Sequence, residues 1–113
     1  MTLEATEAEC AAGRTAPRVS LADIEAYIDC RYDITGTEAA GDGPTHPSLE
    51  LLSVCLLVLR NGFAIIGKSA PASPANFDRD LGIKLAYEDA VRQIWPLMGF
   101  ALRDRLLSQE KNP

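Results

Sequence analysis

Two apolar runs, 53-SVCLLVLR-60 and 63-FAIIG-67, flank the dipeptide Asn61-Gly62, and no other stretch constrains the fold of this chain as much. Asn-Gly is the strongest short hairpin signal, because a two-residue type I′ turn needs positive φ at both central positions and these residues tolerate it. The reading is an antiparallel hairpin at about residues 53 to 69. Its strands do not alternate polar with apolar, so a run such as Val54-Cys55-Leu56-Leu57-Val58-Leu59 needs cover on both faces. Two strands alone are marginal in water. The hairpin therefore either meets helices on both faces or joins a sheet continued by another subunit.

Helical signals lie on either side. Ser20 is placed to cap a helix with Asp23 as its capping-box partner, and Val19 can staple to Ile24. Leu21, Ile24, Tyr27 and Ile28 then share one face, opposite Asp23, Glu25 and Asp29, which predicts a surface helix over about residues 20 to 31. Residues 35 to 47, TGTEAAGDGPTHP, read as a Gly/Pro-rich loop. After the hairpin, Ser73 before Pro74, or Asn76, can open a second helix that runs to Trp95. Its main apolar face holds Ile83, Ala86, Tyr87, Ala90, Val91 and Ile94. A second face, Phe77, Leu81, Leu85 and Trp95, is interleaved with Asp80, Lys84, Glu88 and Arg92, an i, i+4 ladder of alternating charge that reads as a solvated face. Pro96 should break or kink this helix. The segment 97-LMGFALRDRLL-107 resumes helical composition and is apolar almost all round, which calls for burial on several sides.

The expectation is an α+β fold: an N-terminal helix, a two-stranded antiparallel hairpin and a long C-terminal helix kinked at a proline. Residues 1 to 17 carry no sustained apolar period and read as a disordered tail. Residues 18 to 113 read as a single α+β domain, the most that 113 residues allow.

Composition excludes several classes of function. The net charge of −5 is unevenly placed, with ten acids and three bases in residues 1 to 50 and six acids and eight bases in residues 51 to 113. A protein that neutralises many phosphates carries a basic excess, so the balance argues against a nucleic-acid partner. Cys10, Cys30 and Cys55 are odd in number and lack Cys-x-x-Cys or Cys/His spacing, which argues against a zinc site or a disulfide framework. The acidic start is not a signal peptide, and no run approaches the ~18 apolar residues of a membrane span. The chain is expected in the cytoplasm, with reduced thiols and no membrane partner.

The segment 58-VLRNGFAIIGKSAPASPANFDRDLGIKLAYEDAVRQIWPLMGFALRDRL-106 resembles the small phage protein family named after gene product forty-nine of a coliphage and gene sixty-six of a Shigella phage. The likeness rests on an ordered pattern: an apolar strand, Asn-Gly-Phe, a Gly-x-Ser-Ala end, Pro-x-Asn-Phe-Asp, Ala-Tyr-Glu-x-Ala and Ile-Trp-Pro-Leu. It covers the chain from about Pro47 onward. It implies a phage or prophage accessory protein inside the bacterial host, and no particular activity.

Catalytic patterns are sparse. His46 sits in the Gly/Pro loop, no Gly-x-Ser-x-Gly elbow is present, and 67-GKSA-70 lacks the spacing of a phosphate loop. Cys55 lies inside an apolar strand, where an inert thiol is the natural reading. Asp78/Asp80 and Glu88/Asp89 are not at i, i+3 or i+4 and share no helix face. No catalytic residue, metal or cofactor is expected. The candidate ligand residues are Lys68, Asn76, Asp78 and Lys84, grouped around a helix N-terminus that could receive an anion. The candidate interface residues are Phe77, Leu81, Leu85, Trp95 and Phe100, on apolar faces in excess of what one short helix can cover. The expected function is that of a non-enzymatic phage accessory protein that binds a host factor, as a homo-oligomer. The alternative is an oligomeric binder of a small ligand, for example a defence-signal nucleotide.

Overall fold

In a computed structural model of this chain, which describes residues 2–12 and 16–111, the elements follow in the order α1 (Leu3–Ala11), α2 (Leu21–Tyr27), β1 (Ile28–Thr35), α3 (Gly36–Ala40), β2 (Ser53–Leu59), β3 (Ala64–Ser69) and α4 (Arg79–Lys111). Short 3-10 turns at Pro47–Leu51 and Pro74–Asn76 lead into β2 and toward α4. The fold is α+β, but the expected two-stranded hairpin is corrected to a three-stranded antiparallel sheet in the order β1-β2-β3. The added strand comes from the segment read as the end of the first helix. Ser20 and Asp23 do form the capping box, yet α2 stops at Tyr27. From Ile28 onward Ile28, Cys30, Tyr32 and Ile34 alternate with Asp29, Arg31, Asp33 and Thr35, a period of two that suits a strand and not a helix.

The hairpin itself joins β2 to β3 through a turn unlike the expected one. Gly62 has φ 87, while no described non-glycine residue has positive φ, so Asn61 does not adopt the left-handed conformation of a type I′ turn. Gly62 N–H donates to Leu59 O at 2.8 Å, and Leu59 N–H donates to Phe63 O at 2.9 Å. The loop is thus the three residues Arg60, Asn61 and Gly62, with glycine in the bulge position. Asn61 contributes by accepting the Phe63 N–H on Oδ1 at 3.0 Å.

The helical pair expected on either side of Pro96 is corrected to one 33-residue helix with Pro96 inside it. Proline deprives the Arg92 carbonyl of its N–H partner, a cost of ~3 kcal/mol in a helix interior. Packing on both sides outweighs it: Val91 and Ile94 are fully buried before the proline, and Trp95 and Met98 pack against the core beside it. At ~1.5 Å per residue α4 is about 50 Å long, and it outruns the sheet. The molecule measures 61 × 29 × 18 Å. Its C-terminal turns are consequently open, with Leu97, Phe100 and Leu107 exposed.

The start of α4 also differs from its reading. Ser73 precedes the Pro74–Asn76 turn without a side-chain cap bond, and Asp78 instead accepts the Leu81 N–H at 3.1 Å. In the charge ladder Asp80, Lys84 and Arg92 are exposed but Glu88 is 7% exposed, and among the described residues no two of them form an ion pair. The segment read as a disordered tail carries α1, capped by Thr2, with Leu3 buried. Glu7 anchors it to the body: its carboxylate accepts from both terminal nitrogens of Arg18, at 2.8 and 3.1 Å, and from the Leu21 N–H at 3.1 Å. The Gly/Pro loop likewise contains α3, opened by a capping box between Thr35 and Glu38.

Helices α2 and α4 lie on one face of the sheet. Between the layers sit Leu21 and Ile24 of α2, Cys55, Leu57 and Leu59 of β2, Ile65 of β3, and Ala86, Ala90, Val91 and Ile94 of α4.

Candidate interaction surface

Strand β2 presents Ser53, Cys55, Leu57 and Leu59 to the helices, and all four are buried. Its other residues, Val54, Leu56 and Val58, face away. The pairing register extends this division across the sheet. On the face away from the helices lie three rows: Cys30, Val58 and Ala64; Tyr32, Leu56 and Ile66; Ile34, Val54 and Lys68. Eight of these nine residues are apolar or weakly polar, and Lys68 at a corner carries the only charge. Tyr32 is 54% exposed and Ile66 61% exposed.

Strand β1 gives this face its meaning. Its polar residues Arg31 and Asp33 point to the helix side, where Arg31 Nε lies 3.1 Å from Asp33 Oδ2 and its guanidinium carbon 4.1 Å from the centre of the Tyr87 ring. Its apolar residues Cys30, Tyr32 and Ile34 point to the open side. A sheet with one solvated face normally puts its polar residues there; this edge strand does the opposite. The open side is therefore built as a second apolar layer surface, and no described element covers it.

The outer edge of β3 is occupied in part by α4. Asp89 of α4 accepts the Lys68 N–H at 3.0 Å, and Gln93 Nε2 donates to Ile66 O at 2.7 Å. Two side chains of one helix thus satisfy two of the groups that an unpaired edge would leave open.

The residues expected to form a ligand site come together only in part. Asn76 and Asp78 line a shallow cavity of about 90 Å³ together with Phe77, Leu81 and Leu85, three of the expected interface residues. Lys68 and Lys84 do not line it. Its volume is far below the ~300 to 1,000 Å³ of small-molecule sites, and the Asp78 carboxylate already holds an amide of the first turn of α4. Of the remaining interface candidates, Trp95 packs on the core and donates Nε1 to Val19 O at 3.1 Å. Phe100 is 72% exposed on the overhanging part of α4. Where that overhang passes the hairpin tip, a larger notch of about 390 Å³ opens between Tyr27, Leu59, Phe63, Leu97, Met98 and Ala101, with Asn61 and Arg105 as its polar lining. The apolar run of β2 marked a second face that needs cover, but the sequence reading missed β1 as the strand that extends it, and missed this notch. The alternation from Ile28 to Thr35 was the signal for the face; the notch has none, since it depends on how far α4 extends.

Cys55 and His46 are otherwise engaged. Burial, reinforced by the Asp33 carboxylate, pushes the Cys55 thiol up to about 11. His46 Nδ1 accepts the Ser48 N–H at 3.1 Å and so caps the 3-10 turn. Among the described residues, no group of three or more His, Cys, Asp or Glu side chains could hold a metal ion, and no helix is long and apolar enough to cross a membrane.

The model of the phage protein (N4 Gp49/phage Sf6 gene 66) family matches residues 19–106, and the chain belongs to that family. The match begins at Val19, whose carbonyl holds Trp95, and leaves α1 outside. No curated protein and no solved structure matches the chain.

Proposed function

We propose that this member of a phage protein family is a non-enzymatic accessory protein that holds a host protein on the open face of its sheet. The observation that carries the reading is the inverted polarity of β1, which adds Tyr32 and Ile34 to Leu56 and Ile66 on the side away from its own helices. Exposed contiguous apolar surface on a folded chain usually marks a contact with another macromolecule. Membership of a phage family favours a host factor as that partner. The test compares baits in host lysate. Wild type and Lys84→Glu should retain the same protein at equal stoichiometry, whereas Ile66→Glu with Leu56→Glu should lose it. Equal retention by the open-face variant would sink the proposal.

A second reading rests on the notch beside the hairpin tip, whose volume falls in the range of small-molecule sites. Its apolar walls and the lining guanidinium of Arg105 suit an apolar ligand bearing an anionic group. Native mass spectrometry of protein purified from infected cells tests this reading, with Arg105→Glu as the variant that should release any retained mass.

A further inference from the structure

The two edges of the sheet are treated differently. While side chains of α4 take up two backbone groups of β3, the outward groups of β1 are open, and their identity follows from one hydrogen bond. Gly36 N–H donates to Leu52 O at 2.9 Å, so the bonded pairs of β1 with β2 fall on Gly36, Ile34, Tyr32 and Cys30. The N–H and C=O groups of Arg31, Asp33 and Thr35 therefore point outward. Thr35 agrees with this phase, since its N–H is taken by the Glu38 carboxylate at 3.1 Å. Among the described residues no hydrogen bond reaches the backbone of Arg31 or Asp33 from that side. The open window is also bounded at both ends. The register shift at Asp29 interrupts the strand before Cys30, and the Thr35–Glu38 capping box ends it after Ile34.

We propose that β1 is a self-recognition edge: two copies of this chain pair their β1 strands antiparallel about a two-fold axis at Tyr32, forming one six-stranded sheet. A two-fold contact must be complementary to itself, and the window Cys30–Ile34 is. With Tyr32 opposite Tyr32 of the second copy, Arg31 stands opposite Asp33 and Asp33 opposite Arg31. These two pairs exchange the open backbone bonds, and they set opposite charges side by side on the helix side of the sheet. On the open side Cys30 meets Ile34 and the two Tyr32 rings meet each other. Sliding the pairing by two residues in either direction puts Arg31 against Arg31 or Asp33 against Asp33, a juxtaposition of like charges that disfavours those registers. Charge thus selects one alignment. The pairing would join the two open apolar faces into a single surface, and it does not depend on what that surface holds.

Because the contact is short, association is concentration-dependent, and light scattering from about 5 to 500 µM covers the range of such weak, small-area contacts. Wild type should pass from monomer to dimer mass across that range. Asp33→Arg and Arg31→Asp should each stay monomeric at least tenfold beyond the wild-type midpoint, with circular dichroism confirming their fold. The double variant Arg31→Asp with Asp33→Arg should recover the dimer, since the same register again opposes unlike charges. Hydrogen exchange on wild type provides a readout free of any folding defect: the Arg31 and Asp33 amides should become protected on concentration. A wild type that stays monomeric to 500 µM overturns the proposal. So does a dimer that leaves those two amides unprotected, or single variants that dimerise like wild type. Protection that appears only when a different protein is added would assign the edge to that partner and equally overturn pairing between copies.

Discussion

The indole of Trp95 donates its Nε1 proton to the carbonyl oxygen of Val19 at 3.1 Å, joining the middle of the last helix to the residue before the first capping box. Trp95 immediately precedes Pro96, so this bond and the packing around it hold α4 where its own hydrogen-bond ladder is interrupted. Trp95→Phe keeps much of the packing and removes the donor, leaving the Val19 carbonyl without that partner. The expected loss is about 1 kcal/mol, the net worth of a hydrogen bond of this kind, measured by urea denaturation. An unchanged midpoint would show that packing alone carries α4 past the proline.

Gly67 lies against α4 so closely that a Cβ on it would meet Ala90 Cβ at 2.8 Å and Ala90 N at 2.7 Å. Backbone cannot move aside as a flexible side chain can, and forcing extra volume into a packed contact costs ~1 to 3 kcal/mol, sometimes more. Gly67→Ala should fall at the upper end, near 3 kcal/mol. Gly99→Ala, where nothing lies within 4 Å, serves as the control and should be neutral or stabilising.

Positions 61 and 62 should respond unequally. Of the two, only Gly62 has positive φ, so Gly62→Val should cost about 1 to 2 kcal/mol from left-handed strain. Asn61→Ala should cost less, about 0.5 to 1 kcal/mol for the bond to Phe63. Losses of equal size in chemical denaturation would restore the two-residue type I′ turn.

Acid should weaken the first capping box. The backbone N–H of Ser20 on the Asp23 carboxylate, with the Ser20 hydroxyl as the next cause, holds that carboxyl below its ordinary value of 3.8. A lowered folded pKa means that the folded state prefers the charged form. Its stabilisation is complete above pH ~4 and disappears as the pH falls through the folded value. Asp23→Asn should flatten this part of the acid limb, and Ser20→Ala should cost about 1 kcal/mol at neutral pH. A melting curve at pH 2 to 5 that is the same for Asp23→Asn and wild type would refute the assignment.

Cys55 should be inert in the folded protein. The thiolate is the reactive species, and with the thiol pushed up to about 11 roughly a thousandth of it is ionised at pH 8. Iodoacetamide at that pH should leave Cys55 unlabelled in native protein and label it fully in 6 M guanidinium, as read by peptide mass mapping.

Several elements were written in local sequence. The Ser20–Asp23 capping box, the Gly62 turn between apolar runs and the apolar face around Ile94 all depend on interactions within a few residues, and each formed near its expected place. Strand β1 was also legible, because Ile28 to Thr35 alternates with period two. It was obscured by the strong helix start upstream, whose apolar face runs on through Ile28. The expected ligand group failed for a different reason. Lys68, Asn76, Asp78 and Lys84 were joined by nearness to one helix start, but whether a cavity of useful size lies between such residues depends on how β3 and α4 pack.

Local sequence determined which segments are helix, strand and turn wherever a cap, a glycine or a periodic apolar pattern fixed the backbone over one or two turns. Tertiary structure decided the rest, because the deciding energies act between segments distant in the chain. Packing of Val91, Ile94 and Trp95 against the core carries α4 through Pro96. The Glu7 carboxylate, bound to Arg18 and to the Leu21 amide, turns an apparent tail into a docked helix. The phase of β1 against β2 set the direction of its two faces: a shift of one residue would have sent Tyr32 to the helices and Arg31 outward. The observed register leaves the apolar side open.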